Sequence, residues 1–488
     1  MPHYKPRLPL WDHQKKALAA MKGKKAFALL MAMRTGKSPT MLAEFGQMEL
    51  DGIVKDMMVI APAGVYRTWA DAMRSHFSED LKERVMVHLW QSGSGERQKR
   101  DRKTFLSLKD PRILLMNIEA LSRPGEAREF VKKFLGQRAN VVGIDESTKI
   151  KNKSKRTKFI VEVVKPLADY RRILSGLVAP RAPLDLFYQF DFLDSKILGW
   201  NSWHAFRAHV AYMKTDWFGP MGNKRAVELI DKEQGNNGFK PEAIKELQKL
   251  IKPHSYRVEF RPKVPTTYEI REVEMTPEQE KAYREMKEHA TTMLKNEAHV
   301  TATVVIAQIM KLHQILCGHT TDEEGNEQVI PENKTASLME LLEDYGGKAI
   351  IWCSYDHDIR KVAAALTEEY GEGSVARFWG GNVKTREAEI KAFKTKPECR
   401  FVVATPDSGG MGQTWDMADL TVYYSSKDNL EHRDQSEQRA MGRDKTKGVD
   451  VVDLIHPGTV EIKILEALRK KINMSSQITN DTWRDWVM

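Results

Sequence analysis

Two adjacent carboxylates, Asp145 and Glu146, follow a short apolar run at residues 141–144. An apolar run of this length predicts a strand buried in a parallel sheet. Open α/β sheets bind ligands beyond the carboxyl ends of their strands. At such a position Asp145 can ligate Mg²⁺, which prefers oxygen donors, while Glu146 orients a water molecule for attack on a phosphate. A polar loop after a strand remains the simpler explanation unless the chain also carries a phosphate-binding loop.

A phosphate-binding loop is indicated by the tripeptide Gly36-Lys37-Ser38, which stands between an apolar run and a helical segment. Backbone N–H groups and the helix dipole meet phosphates at such a junction. We expect Lys37 to reach the β and γ phosphate oxygens and the Ser38 hydroxyl to ligate Mg²⁺. Met31 and Arg34 replace the glycines that usually precede this tripeptide. The loop and the later carboxylate pair together predict a nucleoside triphosphatase.

Apolar runs alternating with helical segments predict the elements that position these residues. Strands are expected at residues 26–31, 57–61, 113–116, 141–144 and 170–174, and again at 348–354, 376–379, 401–405 and 420–424. This alternation is typical of βαβ units in a parallel sheet, so the α/β class is predicted. The second series lacks its own Gly-Lys-Ser, which favours a domain that completes the first domain's site.

Composition narrows the class of protein. A chain of 488 residues is too long for one core, and its net charge of +10 favours a polyanionic partner. The three cysteines are far apart, which argues against a disulfide framework or a zinc cluster. No apolar run reaches membrane-spanning length, and the first residues lack a signal-peptide core. We therefore expect a protein of a reducing cytoplasm, or of the host cytoplasm if a phage encodes it.

Six motifs give the chain a family resemblance. They are Gln14, MRTGKS (33–38), VIAPAGVYRTW (59–69), LLMNIEAL (114–121), VVGIDESTKIKN (141–152) and ILSGLVAPRAPLDLFYQFDFLD (173–194). On these motifs residues 8–194 resemble the first RecA-like lobe of superfamily-two helicases, specifically the Swi/Snf-type translocases of double-stranded DNA. In two places the sequence departs from the family, since Ser147-Thr148 replace Ala-His and the segment 175–178 replaces Thr-Gly-Thr-Pro. The second departure lies in a segment that, by the resemblance, couples the ATP site to the DNA site.

The resemblance implies ATP and Mg²⁺ as cofactors and assigns residues to them. In the first lobe the implied nucleotide-binding residues are Gln14, Arg34, Thr35, Gly36, Lys37 and Ser38. The implied metal ligands are Ser38 and Asp145, and the implied catalytic residues are Lys37, Asp145 and Glu146.

Two segments in the second half resemble elements that close the family's ATP site. The loop 405–412 resembles the Gly-Gly-x-Gly loop, which adds Gly410 and Gly412 to the nucleotide-binding set. The segment 432–447 resembles a helix with a glutamine and two arginines, here Gln435, Arg439 and Arg443. Gln435 is then a nucleotide contact, and Arg439 and Arg443 are catalytic candidates. Arg443 stands one residue later than the family's second arginine.

The resemblance covers residues 8–470 and predicts two RecA-like parallel-sheet lobes with helical protrusions. We expect the first lobe, with the ATP-binding loop, over 1–262, including a helical insertion at 195–250. A proline-containing linker is expected at 263–275. The second lobe, with a helical brace and a carboxyl-terminal tail, is expected over 276–488.

Double-stranded DNA is the expected partner, with single-stranded or branched DNA as further candidates and protein partners left open. The candidate contacts are polar residues at strand ends away from ATP: Arg67, Asn117, Arg123, Lys151, Lys153, Lys155, Arg156, Gly380, Gly381, Thr405 and Ser408. The alternative for the basic run 151–158 is a solvated helix face.

The function expected from these observations is a DNA-stimulated ATPase that translocates along duplex DNA. One alternative is a strand-separating helicase of the same superfamily. Another is a nucleic-acid-binding module with an inactive ATP site, against which the retention of Lys37, Ser38, Asp145 and Glu146 argues. Because 488 residues leave no room for a chromatin-reading module, a phage or bacterial origin is expected.

Overall fold

The structure is a computed structural model that describes most of the chain. The described residues are 3–63, 65–93, 95–180, 182–218, 225–259, 264–296, 302–321, 326–343, 345–409, 414–442 and 445–468. They form two compact units, of which one comprises residues 3–213 and 230–259, and the other residues 214–229 and 264–468. Among these residues no helix has both the length and the apolar character needed to cross a membrane.

A seven-stranded, fully parallel sheet forms the centre of the first unit. In chain order the first nine strands are β1 Ala26–Met31, β2 Asp56–Ala61, β3 Met86–Leu89, β4 Arg112–Asn117, β5 Asn140–Asp145, β6 Tyr170–Leu174, β7 Met213–Phe218, β8 Arg225–Ile230 and β9 Ser255–Val258. All but β7 and β8 belong to the first unit, and most residues of those two strands belong to the second. The sheet order is β3-β4-β2-β5-β6-β1-β9, whereas β7 and β8 pair separately.

Helices cover both faces of this sheet, which explains why central strands such as β1 and β2 are mostly apolar and buried. They are α1 Asp12–Met21, α2 Lys37–Leu50, α3 Thr68–His76, α4 Glu79–Arg84, α5 Glu96–Ser107, α6 Glu126–Leu135, α7 Lys155–Phe159, α8 Lys165–Leu167, α9 Leu186–Leu193, α10 Trp203–Val210 and α11 Pro241–Ile251. Side chains alternate between two cores along each strand. In β1, Phe27 and Leu29 pack in one core, and Ala28 and Leu30 pack in the other.

The strand order brings the two candidate chemical motifs to the same edge of the sheet. Strand β6 lies between β1 and β5, and its Leu174 is in register with Leu29 of β1 and Asp145 of β5. Since all three strands are parallel, their carboxyl ends point the same way. The loop after β1 and the carboxylates after β5 therefore meet across a single strand.

The insertion at 195–250 differs from the helical protrusion expected there. It contains α10 and α11, but the hairpin strands β7 and β8 lie between them. Both strands contain β-branched residues, such as Thr215 in β7 and Ile230 in β8, which favour a strand over a helix. The connection between β7 and β8, residues 219–224, lies outside the described residues.

The second unit is built on a six-stranded, fully parallel sheet of order β10-β17-β16-β13-β15-β14. Its strands, and a separate pair β11 and β12, are β10 Thr266–Glu272, β11 His319–Thr321, β12 Glu327–Val329, β13 Lys348–Trp352, β14 Val375–Phe378, β15 Phe401–Ala404, β16 Ala418–Tyr423 and β17 Val449–Ile455. Its helices are α12 Pro277–Asn296, α13 Ala302–Leu316, α14 Lys334–Glu343, α15 Asp356–Tyr370, α16 Arg386–Thr395, α17 Pro406–Gly409 and α18 Leu430–Glu437. Two parallel-sheet units confirm the expected α/β class.

Most of the expected linker at 263–275 is a strand. Residues 266–272 form β10, which pairs with β17 along its whole length. The prediction differs because β10 is an edge strand with mostly exposed side chains, so its sequence has no apolar run.

All three cysteines are buried and unpaired. Burial raises the pKa of the Cys317 and Cys353 thiols well above the usual value, and it raises the pKa of Cys399 as well. Their role as apolar packing residues agrees with this burial.

A buried ion pair ties the helix after the phosphate-binding loop to the sheet. Arg172 of β6 donates through Nε to both carboxylate oxygens of Glu44 in α2, at 3.1 and 2.9 Å. The Arg172 and Glu44 side chains are only 1% and 8% exposed. The pair therefore joins α2 to the strand between β1 and β5.

We expect Glu44→Gln to lower the free energy of unfolding by about 3 kcal/mol, because it leaves a buried guanidinium without a counter-charge. Asp71→Asn is the matched control, since it breaks an ion pair with Arg74 whose side chains are both more than 70% exposed. That control should change stability by less than about 1 kcal/mol. Urea unfolding followed by circular dichroism measures both, and equal losses would contradict the prediction.

Candidate nucleotide-binding site

The loop between β1 and α2 has the backbone geometry of a tight phosphate-binding turn. Gly36 precedes the first turn of α2 with φ +82°, and Arg34 also adopts a left-handed conformation with φ +63°. Arg34 occupies a position where glycine is usual, and a non-glycine residue there carries a cost of about 1 kcal/mol. Ser38 lies in the first turn of α2, so its hydroxyl group is next to the helix amino terminus.

Helix α1 holds this loop through two side chains. The Gln14 amide donates to the Gly36 carbonyl at 3.1 Å, and His13 Nε2 donates to the Thr35 carbonyl at 2.7 Å. Gln14 is 3% exposed, and its oxygen accepts the backbone N–H of Trp11. The approach is so close that a Cβ on Gly36 would lie 2.1 Å from Gln14 Nε2. Gln14 thus fixes the loop.

The Lys37 ammonium lies over the end of β1. Its Nζ donates to the carbonyls of Met31 and Ala32 at 3.0 and 3.3 Å. Thr35 is also anchored there, since its hydroxyl donates to the Ala32 carbonyl at 2.7 Å. The loop therefore presents a positive charge at the carboxyl edge of the sheet, held by neutral acceptors.

Asp145 is a buried carboxylate with a donor on each oxygen. Its Oδ2 accepts the indole N–H of Trp69 at 2.8 Å, and its Oδ1 accepts the backbone N–H of Glu146 at 3.1 Å. Burial raises the pKa of Asp145 above its usual value, while the charge of Lys37 and the two hydrogen bonds oppose that rise. Its neighbour Glu146 has φ +51°, a left-handed conformation that turns the chain sharply at the end of β5.

Hydrogen bonds connect the two places where this chain departs from the family pattern, Ser147 and the segment 175–178. The Ser147 hydroxyl donates to Gln189 Oε1 at 2.6 Å, and Gln189 Nε2 donates to the Val178 carbonyl at 2.7 Å. Ser147 and Gln189 are fully buried, and Val178 is 2% exposed. The turn after the carboxylates is therefore joined directly to the segment 175–178.

In the second unit two predicted site residues are buried. Gln435 lies on α18, and Arg439, 2% exposed, accepts the backbone N–H of Trp415 through its carbonyl. Gly442 occupies the place of the family's second arginine, and a Cβ there would lie 2.5 Å from Asp416 Oδ2. This close contact is a physical reason for an arginine displaced to the next position. Arg443, Gly410 and Gly412 lie outside the described residues.

The candidate DNA contacts of the first unit are mostly exposed at strand or helix ends. Arg67 precedes α3, Asn117 ends β4, and Arg123 follows a short turn, with both arginines exposed. Lys153 and Lys155 are exposed.

Two residues of the basic run, Lys151 and Arg156, are less exposed than Lys153 and Lys155. Lys151 is only 9% exposed, which differs from the expected solvent-facing contact, because it packs in the turn after the carboxylates. Arg156 is half-buried on α7.

In the second unit Gly380 and Thr405 line one cavity of about 220 Å³, which also contains Lys427 and His432. Gly381 packs against Trp379, with a notional Cβ 2.5 Å from the indole ring. Ser408 lies on the four-residue helix α17. The cavity thus joins two predicted DNA contacts that are 25 positions apart in the sequence.

Three residues at these sites were missed by the sequence motifs. His13 supports the loop through a backbone group, the Thr35 carbonyl. Gln189 supports Ser147, which lies 42 positions away in the sequence. Trp69 ends the VIAPAGVYRTW motif, but nothing in its spacing indicated a bond to Asp145. Only the parallel strand order brings the segments after β2 and β5 together.

These features define the class as a two-unit RecA-like α/β protein with a phosphate-binding loop in its first unit. The SNF2-related domain profile matches residues 15–321, and the helicase conserved C-terminal domain profile matches residues 333–443. The first match alone spans more than half of the chain. The chain belongs to the SNF2-related family and carries the two-part core of ATP-dependent helicase-type enzymes, which confirms the resemblance.

Two bacterial relatives match almost the whole chain. An uncharacterized ATP-dependent helicase of Mycoplasma genitalium is 22% identical over 458 residues, which are 91% of this chain and 40% of the relative. A putative ATP-dependent helicase/translocase of Bacillus subtilis is 23% identical over 469 residues, 92% of this chain and 46% of the relative. The chain therefore spans less than half the length of these relatives.

A similar solved structure is the Sulfolobus solfataricus SWI2/SNF2 ATPase core in complex with dsDNA. It is 22% identical, with a TM-score of 0.42, and the match covers 100% of this chain and 97% of the other.

We expect Gly36→Ala to lower stability by more than about 1 kcal/mol and to weaken binding of an ATP analogue, because alanine is strained at this φ and its Cβ meets Gln14. Gly23→Ala is the matched control, since Gly23 has a similar φ of +73° with no atom near the notional Cβ. Thermal unfolding and fluorescent-nucleotide titration of both variants make the comparison. Identical behaviour of the two would show that the contact with Gln14 has no role.

Proposed function

We propose that this chain hydrolyses ATP, that duplex DNA stimulates the hydrolysis, and that the cycle moves the protein along the duplex. The observation that carries the proposal is the convergence of Lys37, Asp145 and Glu146 at the carboxyl edge of one parallel sheet. Membership of the SNF2-related family supports ATP as the nucleotide. The complex of the Sulfolobus protein with dsDNA illustrates the kind of partner proposed.

The electrostatics of the first unit favour a bound triphosphate. Lys37 donates to two neutral carbonyls, and exchanging these for phosphate oxygens gives stronger, charge-assisted hydrogen bonds. The backbone N–H groups of Lys37 and Ser38, the first two residues of α2, add the helix dipole to this attraction. Lys37 would then meet the negative charge that develops as the terminal phosphate is transferred.

Mg²⁺ fits the donor set that the chain offers. Ser38 and Asp145 supply a hydroxyl and a carboxylate, the hard oxygen donors that this ion prefers. Each oxygen of Asp145 accepts one hydrogen bond, which leaves lone pairs for a metal. When bound, the ion neutralises charge on the phosphate oxygens.

Glu146 is the proposed residue that orients the attacking water. Its backbone is left-handed, whereas Asp145 is the last residue of the extended strand β5, so the two adjacent residues have different backbone conformations. We propose that their carboxylates have correspondingly different roles. The second unit would add an arginine to the terminal phosphate when the units close. We propose Arg443 for this role and Arg439 as the alternative, with Gln435, Gly410 and Gly412 as further nucleotide contacts.

For DNA, we propose contacts to the phosphate backbone from both units. Each step along a duplex presents a new sequence, so a motor must hold phosphates and ignore bases. The exposed cations Arg67, Arg123, Lys153 and Lys155 are suited to this in the first unit. The cavity with Gly380 and Thr405 is suited to it in the second. If ATP binding and hydrolysis alternately strengthen and release the contacts of the two units, the chain would move along the duplex.

We expect Lys37→Ala to abolish ATP turnover and Glu146→Gln to retain ATP binding while hydrolysing very slowly, because each loses a different part of the transition-state machinery. The measurement is steady-state hydrolysis together with nucleotide binding and far-UV circular dichroism. Near-normal turnover by either variant would refute the assignment.

The same assay with wild-type protein separates the candidate functions. Stimulation by duplex DNA with triplex displacement and without strand separation supports a translocase. Strand separation would instead support a helicase, and absence of hydrolysis would support a binding module.

We expect Lys153→Glu with Lys155→Glu to lower DNA-stimulated hydrolysis more than basal hydrolysis, because phosphate contacts become repulsive. Lys99→Glu with Lys103→Glu is the matched control, since these exposed lysines lie on α5 and the charge change is the same. Hydrolysis is measured across a salt series with and without duplex. Equal stimulation in both double variants and the wild type would identify the basic run as a solvated helix face.

A further inference from the structure

A buried hydrogen bond joins the candidate metal ligand to a segment outside the nucleotide loop. Trp69 Nε1 donates to Asp145 Oδ2 at 2.8 Å, and the two residues are 1% and 5% exposed. The other oxygen, Oδ1, accepts the backbone N–H of Glu146. With one donor on each oxygen, the plane of the carboxylate is fixed. Of these two bonds, the one from Trp69 comes from a different segment of the chain.

The indole belongs to a hydrogen-bonded segment that also carries an exposed cation. Trp69 is the second residue of α3, and Arg67 immediately precedes that helix. Backbone hydrogen bonds from Tyr66 to Pro62 and from Thr68 to Val65, at 3.0 and 2.9 Å, close the turn before it. Because the turn and the helix are continuous, a shift of the backbone at Arg67 displaces the indole two residues later.

Tyr66, the residue before Arg67, is anchored to the residue that follows β3. The Tyr66 hydroxyl donates to the Trp90 carbonyl at 3.3 Å and accepts Nε of Arg67, also at 3.3 Å. The guanidinium of Arg67 is thus tied to the same turn while remaining exposed. A phosphate bound by Arg67 would compete for this donor and pull on the turn.

We propose that Trp69 is a positioning residue, which holds the Asp145 carboxylate for Mg²⁺ and makes that hold sensitive to an anion bound at Arg67. The inference rests on the proposed function and deepens it, since it gives DNA a physical route to the metal site. Trp69 contacts no substrate in this role. It acts through Asp145, as residues that hydrogen-bond to a metal ligand do when they orient that ligand.

The competing explanation is that Trp69 only fills the core. It packs in the same core as Tyr66 and Met73, so its loss could act through packing alone. Trp90 offers a matched control for this explanation. It is 3% exposed in the same unit, and its indole N–H has no hydrogen-bond partner among the described residues. Trp90→Phe therefore removes the same atoms without removing such a bond.

The test is a Mg²⁺ titration of the binding of a fluorescent, non-hydrolysable ATP analogue to the full chain, with and without duplex DNA. We expect Trp69→Phe to raise the half-saturating Mg²⁺ concentration about 10- to 100-fold, the usual effect of removing an outer partner of a metal ligand. Trp90→Phe should match the wild type. Duplex DNA should lower the half-saturating concentration for the wild type and leave it unchanged for Trp69→Phe.

A double variant shows whether Trp69 acts through Asp145. Adding Trp69→Phe to Asp145→Asn should cause no further change in the Mg²⁺ dependence, because the carboxylate that it positions is gone. An equal additional loss in that background would overturn the inference. So would a Trp69→Phe titration that matches the wild type, or a Trp90→Phe titration shifted as far as that of Trp69→Phe.

Failure of the inference and failure of the proposed function give different results. If the wild type binds the analogue without any dependence on Mg²⁺, the proposed function fails. If the wild type depends on Mg²⁺ and Trp69→Phe behaves identically, only the role of Trp69 fails. A DNA effect that persists in Trp69→Phe would overturn the link to Arg67.

Discussion

The first unit depends on the compensation of one buried negative charge, the carboxylate of Asp145. A carboxylate removed from water is costly unless donors and a counter-charge surround it. Here the compensation comes from three chain segments: Lys37 after β1, Trp69 after β2 and the backbone of Glu146 after β5. Only a parallel sheet with β5 between β2 and β6, and β1 beyond, brings these ends together. The observed strand order therefore also has a chemical role, since it places the partners of this charge around it.

Three departures from the family pattern are matched by local contacts. Arg34 takes a left-handed conformation in a loop that Gln14 and His13 hold from α1, so the loop does not rely on glycine alone. Where the family has Ala-His after its carboxylates, Ser147 instead reaches the segment 175–178 through Gln189. In the second unit, the carboxylate of Asp416 leaves no room for a side chain at Gly442. The chain thus keeps the links between its motifs while changing the residues that make them.

The sequence could predict the central strands and the phosphate-binding loop because their signals are local. A buried parallel strand is a continuous apolar run, and β1 and β6 begin and end where the runs do. The edge strand β10 has no such run, since water rather than a helix covers much of it, and the sequence therefore predicts a linker there. The partners of Asp145 and Ser147 were also beyond prediction, because Trp69 and Gln189 are 76 and 42 positions away along the chain. Lys151 shows the same limit, since its burial depends on a turn and not on its neighbours in sequence.

The burial of all three cysteines has a practical consequence. Reaction with maleimides requires a thiolate that solvent can reach, and burial denies these thiols both accessibility and ionisation. A cysteine introduced at an exposed position of each unit, such as Glu96 on α5 and Glu368 on α15, would then react selectively without removal of the native ones. A donor and an acceptor dye at these two positions would allow single-molecule energy transfer to report any change in the distance between them when ATP is added.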